Sequence, residues 1–136
     1  MQKNTTFFMF VGKQHGKAEE AINYYVSLFK DSGIINIARY GAGEGEPEGT
    51  VKHAVFTLNG QQYMAMESSL AHDFTFTPAI SIFVTCESEE EIDTLYKGLA
   101  DGGAVLMELN KYPFSEKFGW VQDRYGISWQ LNLVKK

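Results

Sequence analysis

The chain has 136 residues, 44% of them hydrophobic and 14% aromatic, enough for a packed core and against a disordered chain. A formal charge of −5 and a pI near 5.1 argue against a nucleic-acid partner, and no basic tract or lipidation motif points to a membrane surface. Cys86 is the one cysteine, which excludes an intramolecular disulfide and a cysteine-rich zinc site.

In chain order, Thr5 to Val11 is a Phe-rich apolar run and reads as strand one, followed by a loop from Gly12 to Gly16. From Lys17 the period changes. Ala18, Ala21, Ile22, Tyr25, Val26 and Phe29 form one apolar stripe of a helix, with Glu19, Glu20, Asn23 and Lys30 outside it. The early acidic residues and Lys30 near the end suit the helix dipole, and Gly33 is the expected left-handed cap. Ile34 to Tyr40 reads as strand two, and the glycine-rich, acidic stretch from Gly41 to Gly49 as a mobile loop. Strands three (Val51 to Leu58) and four (Gln61 to Glu67) flank Asn59-Gly60, a strong hairpin signal. Met64 and Met66 share one face of strand four and are read as core under the helix. Residues 68–77 have no clear period and serve as a connection.

The order then repeats. Pro78 to Cys86 is a strand, Ser88 and Glu91 make a capping box, and Ile92, Leu95, Tyr96 and Leu99 form the stripe of a second helix. Gly102-Gly103 ends that helix, and Ala104 to Glu108 is a strand. A hairpin from Phe114 to Leu133 turns at Asp123-Arg124-Tyr125-Gly126. On its last strand Ile127, Trp129, Leu131 and Leu133 alternate with Ser128, Gln130 and Asn132, so an apolar face opposes a polar one. Trp129 therefore reads as core, and Trp120 is open to pocket or core. Cys86 lacks a cationic neighbour and reads as a half-buried strand-end thiol. His15 and His72 fall in loops and are expected at the surface, as is Arg124 in its turn.

The fold class is thus α+β: two βαβββ modules, near 5–67 and 78–134, joined by 68–77 in a single domain. One helix covers one face of each sheet, and two modules side by side can curl the uncovered faces into a ligand-holding cup. The sequence begins without the apolar region of a signal peptide, and no run approaches membrane-spanning length, so a cytoplasmic protein is expected.

Several stretches carry a family resemblance: Ala18-Glu19-Glu20-Ala21-Ile22-Asn23-Tyr24-Tyr25 with Phe29, Gly49-Thr50-Val51-Lys52-His53-Ala54, Asn59-Gly60, and above all Phe114 through Gln130. Together they resemble the vicinal-oxygen-chelate superfamily of glyoxalase I, ring-cleaving dioxygenases and bleomycin-resistance proteins. The closer likeness is to its PhnB-like branch, labelled 3-demethylubiquinone-9 3-methyltransferase. The resemblance implies a cup-shaped, glyoxalase-like sheet and a homodimer. It also implies one divalent metal held by His, Glu or Gln from the first and last strand of each module. Carried across, those positions fall at Thr6 (or Thr5), Glu67 (or Ala65), Ser81 and Gln130. Hydroxyls where imidazoles are expected cannot hold a transition metal tightly, so the metal site reads as degenerate and no cofactor is expected.

The expectation is a small-molecule-binding protein whose ligand contacts Glu67, Ser81, Ser128, Gln130, His53 and Trp120, with Glu67 and His53 the candidate bases. The alternative is a divalent-metal lyase, isomerase or dioxygenase in which Glu67 and Gln130 survive as ligands and His53 replaces a missing imidazole. Methyl transfer lacks chemical footing, because no glycine-rich loop precedes a helix.

Overall fold

A computed structural model describes residues 1–134. The chain divides into two compact units, Met1–Thr75 and the segment from Phe76 onward. The first unit contains β1 (Thr6–Phe10), a short 3-10 turn (Gly12–Gln14), α1 (Ala18–Leu28), β2 (Gly33–Arg39), β3 (Val51–Leu58) and β4 (Gln61–Glu67). The second contains β5 (Ser81–Cys86), α2 (Glu89–Ala100), β6 (Ala104–Tyr112), β7 (Ser115–Gln122) and β8 (Ser128–Leu133). Their sheets have matching orders, β1-β4-β3-β2 and β5-β8-β7-β6, with the first strand parallel to the last in each. Both expected βαβββ modules are present.

In the first unit, Ala18, Ala21, Ile22 and Tyr25 of α1 are buried, as are Phe10, Ala54, Phe56, Leu58 and Ala65 of the sheet. The β3–β4 hairpin turns through Asn59 (φ 52°) and Gly60 (φ 78°), the left-handed pair of a type I′ turn. That turn is tied to the end of the helical segment, since Asn59 N donates to the Lys30 carbonyl and Gly60 N to that of Asp31. Two expectations change here. The helix stops at Leu28 with no basic residue in its last turn, so Lys30 lies beyond it. Asp31 (φ 48°), not Gly33, takes the left-handed conformation, because the bond from the hairpin fixes its carbonyl, and Gly33 opens β2.

The glycine-rich loop is also more constrained than its composition suggests. Tyr40 bonds through N to Thr50 O and through O to Gly49 N, closing its neck. Glu46 accepts from the amide and hydroxyl of Ser69, and Glu44 from Lys52 Nζ and Gly41 N. His15 lies 3.6 Å from Glu46, and His72 Nε2 lies 3.0 Å from Ser68 Oγ, so both histidines are partly buried rather than surface groups.

In the second unit, the Ser88 hydroxyl accepts from Glu91 N, and the Glu91 carboxylate reaches back to Glu87 N. Ile92, Leu95 and Leu99 pack toward Val84, Val121, Trp129 and Leu131, all buried. The strand expected to start at Pro78 starts at Ser81, and the one expected to end at Glu108 runs to Tyr112. Asp123 organises the last hairpin. Its Oδ1 accepts from Tyr125 N and Ile127 N, and its Oδ2 accepts from Trp129 Nε1 at 2.8 Å.

Two expected outcomes follow from the packing. A Cβ at Gly103 would lie 2.1 Å from the Gln122 carbonyl, so Gly103→Ala forces backbone movement and should cost about 1–3 kcal/mol in chemical denaturation. Burial, aided by the negative charge of Glu91, pushes the Cys86 thiol up to about 12 from 9.0. The folded state therefore keeps its proton where the unfolded chain loses it. The thiol's contribution is intact below pH 9 and falls as pH rises toward 12. A Cys86→Ala variant should lose less stability across that range than wild type when unfolding is followed by circular dichroism.

Candidate functional site

The two faces of each sheet are told apart by what touches the helix. In the second unit, a Cβ at Gly119 would meet the Tyr96 ring of α2 at 2.9 Å, so Gly119 faces the helix and its neighbours Phe118 and Trp120 face away. By strand register, Gln122 and Ser128, Trp120 and Gln130, and Phe118 and Asn132 are cross-strand pairs on this open face. Ser81, Phe83 and Thr85 of β5 pair with the same three residues of β8.

Four of the expected ligand residues meet here in one hydrogen-bonded chain. Trp120 Nε1 donates to Ser128 Oγ at 2.8 Å, and Ser128 and Ser81 hydroxyls lie 2.6 Å apart. Gln130 Nε2 donates to Ser81 Oγ at 3.4 Å. Ser128 is only 1% exposed, whereas Ser81, Trp120 and Gln130 are half-buried. No side chain from Ser81 to Thr85, Ser128 to Asn132 or Phe118 to Gln122 on this face carries a charge.

Beside the chain lies an aromatic cluster that sequence reasoning did not single out. Phe118 is ringed by Phe83 (centroids 6.4 Å apart), Tyr112 (6.1 Å) and Phe114 (5.0 Å). Phe83 is 56% exposed although apolar. A groove of about 480 Å³ is lined by Tyr112, Pro113, Phe114, Ser115, Asn132 and Leu133, among others. The available signal was Phe83's place two residues from Ser81, on the same side of its strand.

The remaining site residues belong to the first unit. Glu67 is 1% exposed and points to the α1 side of its sheet, where Oε1 accepts from Ala18 N and Oε2 from Val51 N, both at 2.8 Å. The carboxylate ties the helix N-terminus to the start of β3, an arrangement the helix dipole favours. Met64 and Met66 alternate with Ala65 and Glu67 and so lie on the opposite, open face, a correction to their reading as core under the helix. His53 is half-buried and meets the Phe7 ring edge-on, with centroids 5.7 Å apart. Thr6 is exposed and registers with Tyr63.

The donor set at these positions is poor in transition-metal ligands. Glu67 has both oxygens engaged by backbone donors, and Ser81 offers a hydroxyl in place of an imidazole. Among the described residues of either unit, no three His, Cys, Asp or Glu side chains form a metal-holding group.

The paired βαβββ topology defines the glyoxalase-like fold class. The same fold is seen at 12% identity in the fosfomycin resistance protein FosX of Listeria monocytogenes (TM-score 0.64, covering 96% of this chain and 91% of that one). A glyoxalase-related enzyme from Fulvimarina pelagi also shares it at 12% identity (TM-score 0.61, covering 98% and 89%). Within that class, residues 2–132 match the family described as 3-demethylubiquinone-9 3-methyltransferase, and the chain belongs to this PhnB-like family. The PhnB protein of Bacillus cereus is 59% identical, with TM-score 0.92 over 98% of this chain and 100% of that one. Comparison with curated proteins gives no match.

Replacing Glu67 by Gln leaves two buried backbone donors facing one acceptor and an amide that is itself a donor. Glu67→Gln should lower unfolding free energy by roughly 2–3 kcal/mol, against under about 0.5 kcal/mol for an unengaged surface carboxylate. Urea unfolding of the two proteins measures the difference.

Proposed function

We propose that the protein is a small-molecule-binding member of the PhnB-like family, acting in the cytoplasm as a homodimer and without a complete catalytic metal site. The observation that carries this reading is the Trp120–Ser128–Ser81–Gln130 chain beside the aromatic cluster on the open face of the second unit. A few convergent polar groups next to apolar surface are what a small-molecule site requires. The polar ends orient a ligand, while Phe83, Phe118 and Trp120 offer ring faces and edges for its apolar body.

Methyl transfer, the activity in the family's description, finds no support in the chain. The glycine-rich loop after β2 leads into β3, not into a helix N-terminus where a cofactor's anionic groups are commonly held. Among the described residues no helix is long and apolar enough to cross a membrane.

The reading is tested by titrating wild type and Trp120→Phe with a panel of uncharged bicyclic aromatic compounds while following tryptophan fluorescence. Wild type should be quenched by binders and Trp120→Phe should respond little, since Trp129 is buried in the core. Gln130→Ala should weaken binding about five- to tenfold. Stoichiometric, tight binding of Ni, Zn, Mn or Fe by protein purified without chelator would overturn the reading in favour of a metalloenzyme. Light scattering checks the dimer.

A further inference from the structure

Resting on that binding reading, the direction of the hydrogen bonds narrows the ligand's class. An indole N–H can only donate, so Ser128 Oγ accepts from Trp120. Ser128 is 1% exposed, and Ser81 Oγ, 2.6 Å away, is the acceptor within reach of its own proton. Ser81 Oγ then accepts from Ser128 and from Gln130 Nε2, which fills both lone pairs. Its hydroxyl proton is left to point away from the chain. Gln130 turns its amide nitrogen toward Ser81, which leaves Oε1 as the outward atom.

The open face thus presents one donor, Ser81 O–H, beside one acceptor, Gln130 Oε1. Phe83 and Trp120 are the cross-strand neighbours of Gln130 on either side, and charged side chains are absent from this part of the face. We infer that the ligand is an uncharged, planar ring compound with a lactam-type edge, a ring carbonyl adjacent to a ring N–H. Its carbonyl accepts from Ser81 and its N–H donates to Gln130, while the ring plane lies against Phe83 and Trp120. A carboxylate of similar size is disfavoured. One of its oxygens could accept from Ser81, but the other would face the Gln130 carbonyl, oxygen against oxygen, at the cost of desolvating a charge.

Three probes of matched size separate the possibilities: isoquinolin-1(2H)-one, its N-methyl derivative, and 1-naphthoate. Each is titrated into the full chain while the Trp120 indole N–H resonance is followed, with Trp120→Phe assigning that signal. The lactam should bind about tenfold more tightly than either control. In Gln130→Ala the gap between the lactam and its N-methyl derivative should close to about twofold or less. If the N-methyl compound or the naphthoate binds as tightly as the lactam and moves the Trp120 signal, the lactam assignment is wrong while the binding face stands. If none of the three shifts that resonance at millimolar concentration, both the assignment and the binding face are overturned. The wild-type comparison is decisive even if Gln130→Ala proves unstable.

Discussion

A single α-helix is about 10 Å wide, whereas four strands at 4.8 Å spacing make a sheet roughly twice that width with two faces to satisfy. Each unit has one such helix, so one face becomes core and the other is left for something else. This constraint organises the molecule. On the helix side lie Ile22, Tyr25, Phe56, Ile92, Leu99, Trp129 and Leu131, all nearly inaccessible. The face away from α2 carries Ser81, Phe83, Trp120 and Gln130, whose polar atoms and rings have room to meet a ligand.

The two buried carboxylates show how the scaffold is held without spending charge on the open face. Glu67 in the first unit and Asp123 in the second both direct their oxygens to buried N–H donors. Each adds a tie beyond the strand register. Glu67 links β4 to the start of α1 and of β3, and Asp123 closes the β7–β8 turn onto Trp129. Locking Trp129 fixes β8, and with it the outward row Ser128, Gln130 and Asn132. A buried acidic residue near a suspected site invites a catalytic reading, but here the partners are backbone amides and an indole, whose effect is to set geometry.

The lack of charge around Ser81, Phe83, Trp120 and Gln130 fits the same division, although Lys111 and Glu116 line the nearby groove. Several charged side chains elsewhere are paired: Arg39 with Glu19, Lys117 with Asp93 and Glu89, Arg124 with Asp101. Such exposed pairs add little to stability. The aromatic cluster around Phe118 and the hydroxyl–amide chain next to it are instead suited to recognising shape and hydrogen-bond pattern.

Much of this was legible from the residues alone wherever the governing physics is local. The turn at Asn59-Gly60, the cap at Ser88 with Glu91, and the alternation along 127–133 follow from backbone dihedrals and period, and each is where the sequence places it. Strand period put Ser128 and Gln130 on one face and the resemblance added Ser81, whereas Trp120, open between pocket and core in the sequence, is linked to them in the structure. The sequence by itself therefore determined the elements, their duplicated order and which residues share a face. Only the tertiary structure decided which face of the first sheet meets α1. Period two says that Met64 and Met66 lie opposite Ala65 and Glu67, but not which pair meets α1. That choice rests on contacts between residues far apart in the chain, such as Glu67 with Ala18 and Val51, which no local pattern encodes.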